Sequence, residues 1–266
     1  MSMSITGKTA IVTGGANGIG LAIGRHFANM GANVVFADMD EDHLIKELGN
    51  NVEDSNIRYF AGDLREKLTL ANLLSATIDA FDEVDILVNA ARQVIPSDPL
   101  NPDDDAVRTL LNQNLIPALR LSQLVAKRMI KQAEGRDEGM AGSIVNLSSI
   151  AANRAHPDLL AYSVASAALD QMTRSLAVSL APERIRVNAV AFGSVMSASL
   201  QDALRDNGSF RDDIEANTPL GRIASPAELA TAVQYLASDA ASFMTGQIMT
   251  IDGGRSLLDS VSVPAH

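Results

Sequence analysis

TGGANGIG, residues 13–20, is the stretch that decides the reading of this chain. It follows a short apolar run, TAIVT at 9–13, and leads into a helical pattern over 18–30. A strand, a glycine-rich turn and a helix in that order form the entry to a dinucleotide-binding βαβ unit. Gly14 permits the tight turn, Gly18 lets backbone approach a pyrophosphate, and Gly20 lets the helix pack closely. Asn17 and Ile19 stand between them, where the first helical turn offers N–H groups and a partial positive charge to phosphate. The spacing is G-x-x-x-G-x-G. Such a triplet alone signals little, and the flanking strand and helix carry the assignment.

The rest of the chain repeats this alternation. NVVFA (33–37), IRYFA (57–61), VDILVN (84–89), SIVNLS (143–148), IRVNAVA (185–191) and QIMTID (247–252) read as further strands. Their continuous hydrophobicity suits a parallel sheet covered on both faces. Helical patterns lie between them at 41–49, 66–80, 103–132, 157–181 and 226–238. The order predicts right-handed βαβ units and an α/β, doubly wound sheet. Segment 103–132 contains Pro117 and reads as two helices or one kinked helix. Residues 193–225 break the rhythm with Gly, Ser, Asp and Pro, and are expected to form a substrate lid at the C-terminal edge of the sheet. With no internal repeat, linker or low-complexity segment, the expectation is one domain over 1–266.

Composition narrows the function. The chain is 47% hydrophobic and 20% charged, enough to bury a full core. A formal net charge of −11 and a pI near 4.7, with the acids spread along the chain, argue against nucleic-acid binding, which needs a basic face. There is no cysteine, so there are no disulfides and no thiolate metal sites. His26, His43, His156 and His266 show no metal-ligand spacing, and no metal is expected. MSMSITGKTA lacks the basic start and apolar run of a signal peptide. No uncharged stretch reaches the roughly 18 apolar residues of a membrane span. A cytoplasmic location is expected.

Asp38 follows the second strand, eighteen residues after Gly20. A carboxylate there can accept hydrogen bonds from both adenosine ribose hydroxyls and would repel a 2′-phosphate. The glycine loop holds no Lys or Arg to offset that, so NAD is expected over NADP. Capping of the helix at 41–49 is a competing role for Asp38, although Asp40 is better placed for it. Asp63, in the GDL of 62–64, faces the adenine or serves a turn or cap, and spacing does not choose between them.

TGGANGIG, Asp38, the GDL ending at Leu64, Asn114, the NLSS of 146–149, Tyr162 and the TGQIMTIDGG of 245–254 fall in one order. In this the chain resembles the short-chain dehydrogenase/reductase family in its single-domain form, from about residue 5 to residue 256. The resemblance implies a seven-stranded Rossmann sheet, a homotetramer or dimer, and hydride transfer between NAD(P) and an alcohol or carbonyl. By resemblance, Ser149 holds the substrate oxygen, Tyr162 exchanges its proton, and Asn114 kinks its helix and binds a relay water. Asn89, Ala91 and Val195 match positions that meet the cofactor, and Gly193 opens the lid.

The sequence departs from that pattern around one pocket. Ser166 stands where the family has a lysine that grips the nicotinamide ribose and lends the phenol a positive charge. A free phenol titrates near pH 10 and is a poor base at neutral pH. A cation about 5 Å away at an effective dielectric of about 20 favours phenolate by roughly 3 kcal/mol. Ser166 offers one hydrogen bond and no charge. The family's N-N-A-G reads Asn89-Ala90-Ala91-Arg92, and its Pro-Gly reads Phe192-Gly193, which leaves the lid a less rigid start. Arg92 either reaches the ribose and phenol in place of the missing ammonium, or points to solvent or to an acid such as Asp98.

Substrate contacts are expected from 92–96, 151–159 and 193–210, where Arg92, Arg154 and His156 suit an anionic or hydroxyl-rich molecule or are simply exposed loop residues. Two readings compete: an NAD(H)-dependent oxidoreductase acting on a small-molecule alcohol or carbonyl, and a non-catalytic NAD(H)-binding sensor or partner subunit. Helices in 103–132 and 157–181 carry Ala, Leu and Ser at helical spacing, which predicts subunit pairing into a homotetramer, or second a dimer.

Overall fold

Each apolar run becomes a strand in the computed structural model, which describes residues 2–49, 55–136 and 138–259; His266 lies outside them. The strands are β1 (Thr9–Thr13), β2 (Asn33–Asp38), β3 (Ile57–Ala61), β4 (Ile86–Asn89), β5 (Gly142–Ser149), β6 (Ile185–Phe192) and β7 (Ile248–Ile251). They form one seven-stranded parallel sheet in the order β3-β2-β1-β4-β5-β6-β7. β1, β4, β5 and β6 are buried at every position, as continuous apolar strands covered on both faces should be. β4 starts two residues later than its apolar run because Val84 leaves the ladder: its N–H and C=O are both bonded by the Gln132 side-chain amide.

The helices are α1 (Gly18–Asn29), α2 (Glu41–Leu48), α3 (Lys67–Phe81), α4 (Ala106–Leu110), α5 (Ile116–Gln132), α6 (Leu160–Leu180), α7 (Ala198–Asp206), α8 (Ser209–Ala216) and α9 (Pro226–Ala237). One apolar layer joins α1, α2 and α9 to the sheet through Ile23, Phe27, Leu44 and Val233. The opposite layer joins α3, α5 and α6 through Leu73, Val125, Met129 and Ala177. Asp40, not Asp38, caps α2, accepting from the His43 N–H.

The segment around Pro117 resolves into α4 and α5 joined by a π-helical turn, Leu111–Leu115. Pro117 has no N–H, so a carbonyl of the preceding turn loses its donor, and the widened turn absorbs the mismatch. Residues 193–225 hold α7 and α8, with Val195 paired to Ala224 at the base. The sheet order reverses between β1 and β4, which opens a crevice at their C-terminal ends.

Candidate active site and cofactor cleft

The glycine loop bridges this crevice. Gly14 has φ +68, and a Cβ there would stand 2.9 Å from the Ala91 backbone. At Gly20 a Cβ would come within 2.0 Å of the Gly14 carbonyl oxygen, so no side chain fits. The Thr13 hydroxyl accepts from the N–H groups of Ala90 and Ala91, locking the ends of β1 and β4 together. Asn17 precedes α1 without a side-chain capping bond, and the first turn carries no acidic residue. Its leading N–H groups are therefore available to an anion.

A cleft of about 440 Å³ opens beside this loop. The glycine loop from Gly14 through Asn17, Gly18, Ile19 and Gly20 lines it, together with Asp38 at the end of β2 and Asp63 and Leu64 after β3. Asn89 at the end of β4, Ala91 and Arg92 after it, and Asn114 in the π-helical turn also line it. Asp38 accepts from Ala16 N–H and Asp40 N–H, one through each oxygen, both at 3.1 Å. Those two bonds fix the carboxylate's direction. Asp63 takes a two-pronged contact from the Arg65 guanidinium, which holds its carboxyl below the ordinary carboxylate range. Sequence reasoning missed Arg65, although it directly follows the GDL and lines the cleft. It missed Ser197 as well, which lines the cleft from the start of α7.

Two expected residues turn out to be occupied by the protein itself. Asn89 gives both amide protons to the interior, to Ser122 Oγ at 3.0 Å and Asn146 Oδ1 at 2.8 Å. Asn114 sits in the π-helical turn with its amide closed on the Gln93 backbone, accepting from its N–H and donating to its carbonyl, both at 2.8 Å. Its side-chain amide is thus a structural clasp for the loop after β4.

Arg92, next in that loop, reaches across the crevice. Its Nη1 donates to the Tyr162 hydroxyl at 2.6 Å, and its guanidinium carbon lies 4.2 Å above the centre of the Phe192 ring. Asp98 is engaged elsewhere: its carboxylate accepts from Leu100 N–H. Tyr162 is 6% exposed and Ser166, one turn along α6, also 6%. Both line a small cavity of about 10 Å³ together with Arg92 and Asn114. Ser149, at the end of β5, is register-paired with Phe192. Its Oγ accepts from Ala151 N–H at 3.1 Å, which leaves its own proton free to donate. Gly193 and Val195, expected on the cofactor, lie beyond β6 outside the lining of the cleft, and Val195 is buried against Ala224.

Arg154 and His156 are exposed, and His156 caps the short turn before α6. Behind the site, burial pushes the Asp170 carboxyl up, opposed by the Ser148 hydroxyl and by Arg174. Among the described residues no three acidic or histidine side chains converge as metal ligands, and no helix is long and apolar enough to cross a membrane.

The glycine cradle, the open first turn of α1 and the fixed Asp38 carboxylate fit an adenine dinucleotide. Comparisons with known proteins agree with this fit. The family model described as enoyl-(acyl carrier protein) reductase matches residues 14–256. The chain is 33% identical over 261 residues to the 3-oxoacyl-[acyl-carrier-protein] reductase of Thermotoga maritima, covering 95% of this chain and 99% of that one. It is 32% identical over 259 residues to the L-fucose dehydrogenase of Mus musculus, covering 95% and 89%. A solved 7α-hydroxysteroid dehydrogenase, complexed with NADH and 7-oxo glycochenodeoxycholic acid, superposes with a TM-score of 0.86 at 30% identity, covering 95% of each chain. The substrates named for these proteins span an acyl thioester, a sugar and a steroid. The chain belongs to the short-chain dehydrogenase/reductase family of oxidoreductases.

Proposed function

We propose that the protein is an NAD(H)-dependent oxidoreductase of alcohols or carbonyls in which Tyr162 is the general acid and base and Arg92 supplies the cation that Ser166 lacks. The observation carrying this is the 2.6 Å bond from Arg92 Nη1 to the Tyr162 hydroxyl. A guanidinium has only donors, so at this contact the phenol oxygen accepts, and the phenol proton is left to point elsewhere. In carbonyl reduction, Ser149 donates to the substrate oxygen and Tyr162 passes its proton there; in alcohol oxidation Tyr162 takes the proton back. Arg92 stabilises the phenolate in both directions. NAD, when bound, supplies or accepts the hydride. The glycine loop and the first turn of α1 would hold its pyrophosphate, and Asp38 its adenosine ribose. Arg65, at the adenosine end, is already neutralised by Asp63, which supports NAD over NADP. The segment 193–225, with α7 and α8, serves as the substrate lid in this reading.

Calorimetric titration with NADH and with NADPH tests the cofactor. Turnover of alcohols and carbonyls above a Tyr162→Phe control tests the chemistry, and no turnover above that control would refute it. In that event the alternative stands: a non-catalytic NAD(H) binder. One observation favours it, since the cleft takes in the glycine loop, Asp38 and Asp63 and leaves out Ser149, Tyr162, Gly193 and Val195. The assembly we propose is a homotetramer, with a dimer second, paired over α5 and α6; on α6, Leu160 and Val178 are exposed apolar residues. Sedimentation velocity tests it.

A further inference from the structure

We infer that Phe192 is a positioning residue for the reaction, its ring being the platform that holds the Arg92 guanidinium on the Tyr162 hydroxyl. This rests on the reading of Arg92 given above. Arg92 grows from the irregular loop after β4, and its flexible stem has to cross to α6. It makes no ion pair among the described residues that would hold it there. One hydrogen bond at the tip does not fix a side chain with that much rotamer freedom. The ring beneath the guanidinium does, because a weakly hydrated planar cation stacks on an aromatic face.

Phe192 is itself built into the sheet. It is 4% exposed and forms the last register pair of β6 on both sides, with Ser149 of β5 and Ile251 of β7. Ser149 and the arginine platform are therefore cross-strand neighbours, and the substrate-oxygen donor and the phenol's cation are referenced to the same point of the sheet. Ser166 completes the arrangement by being small. A longer side chain there would enter the cavity that Arg92 and Tyr162 share. Ser166, Arg92 and Phe192 are thus read as one unit, in which the first makes room, the second brings charge and the third fixes it.

Other groups around the phenol do not offer a competing charge. Asn89, Asn114 and Ser166 at the pocket are neutral. Arg108 on α4 is exposed and faces Asp105 at 3.5 Å, and Asp170, farther along α6, lies against Ser148.

The chain has three tyrosines and no tryptophan, so phenolate absorbance can be followed against pH in the cofactor-free protein. Subtracting the curve of Tyr162→Phe isolates Tyr162. Phe192→Met keeps the volume and removes the ring, Phe192→Leu is a second ringless variant, and Phe192→Tyr keeps the ring. Folding of each is checked by circular dichroism. Phe192→Met or Phe192→Leu should move the Tyr162 curve to higher pH by a proton-affinity factor of about 2 to 30. The shift should not exceed that of Arg92→Met, and Phe192→Tyr should stay near the parent. With Arg92→Met already present, Phe192→Met should add nothing. The pH profile of turnover should move in the same order.

A Phe192→Met shift of equal size in both backgrounds would mean general packing and overturn the inference. No shift with either ringless variant, while Arg92→Met shifts the curve, would overturn it too and leave the role of Arg92 standing. No shift with Arg92→Met would overturn both.

Discussion

Replacing Arg92 by Met keeps an unbranched apolar stem and removes its charge and its donors. It takes away a 2.6 Å bond from a guanidinium to the hydroxyl of a nearly buried tyrosine. Hydrogen bonds to charged groups contribute about 1.5–3 kcal/mol, so if phenolate forms in the transition state, kcat/KM should fall about 10- to 150-fold at neutral pH. The deficit should shrink as pH rises, because bulk base then does what the cation did. Ser166→Lys provides the converse arm. Its ammonium belongs in the pocket that Arg92 shares, yet the cavity there is only about 10 Å³. With Arg92 in place, the added methylenes overpack the site at a cost of about 1–3 kcal/mol. Arg92→Gly with Ser166→Lys together should therefore exceed Ser166→Lys alone in both melting temperature and activity, and should recover most of what Arg92→Gly loses. The assay is steady-state oxidation of the best alcohol found, from pH 6 to pH 10, with differential scanning fluorimetry alongside. Arg92→Met within about twofold of the parent at every pH would refute the argument.

Four further predictions concern cofactor choice and stability. Asp38→Ser should weaken NADH about tenfold by calorimetry, because two bonds to the loop and the ribose contacts disappear together, and should narrow its advantage over NADPH. Ser225→Ala breaks the capping box of α9 and should cost about 1 kcal/mol, or about 2–4 °C in Tm. The partner in that box, Glu228, is pushed down from 4.5 to about 2, by Arg222 first and then the Ser225 N–H. A lowered carboxyl stabilises the fold above its ordinary value, so the Tm gap between parent and Glu228→Gln should be full near pH 6 and fade from pH 4.5 toward 2. Asp170 has the opposite sign. Burial pushes its carboxyl up from 3.8, so the ionised form opposes folding as pH rises, and Asp170→Asn should raise Tm at pH 7 and lose that gain on acidification toward pH 4.

The features legible in sequence are those fixed by local backbone physics. Glycines that tolerate no Cβ, apolar runs for a doubly covered sheet, and an aspartate at the end of the second strand can each be read from one short segment. Arg92 was legible as a question, since a tyrosine read as a base without the family's lysine would need a charge, and Arg92 is a departure from the family pattern at the same pocket. The illegible parts are side-chain partnerships across strands or loops. For Asn114 the resemblance implies only a helix kink and a relay water, and it is the course of the loop after β4 that brings the Gln93 backbone onto its amide. Phe192 reads as an ordinary strand end; its role depends on the β5–β6 register and on an arginine one hundred residues earlier.

An arginine is not a lysine with a longer stem, and the difference sets what this site keeps and what it gives up. It keeps the positive charge, in a form that binds a phenolate oxygen well and stacks on Phe192. It gives up a proton: an ammonium can release one and recover it, whereas a guanidinium holds all its protons at any working pH. In the proposed reaction Arg92 would therefore stabilise the tyrosinate without being able to recharge it. Tyr162 is nearly buried, the adjoining cavity is at the lower limit for one water, and the Asn114 amide is closed on Gln93. In the proposed reaction, reprotonation would then come from the substrate side, in competition with product departure. If the chemistry is as proposed, carbonyl reduction should respond to the concentration of small buffer acids at fixed pH and ionic strength. In Arg92→Gly with Ser166→Lys that response should weaken, because an ammonium beside the phenol restores an internal donor. Equal buffer dependence in the two proteins would show that the guanidinium costs the site nothing in proton traffic.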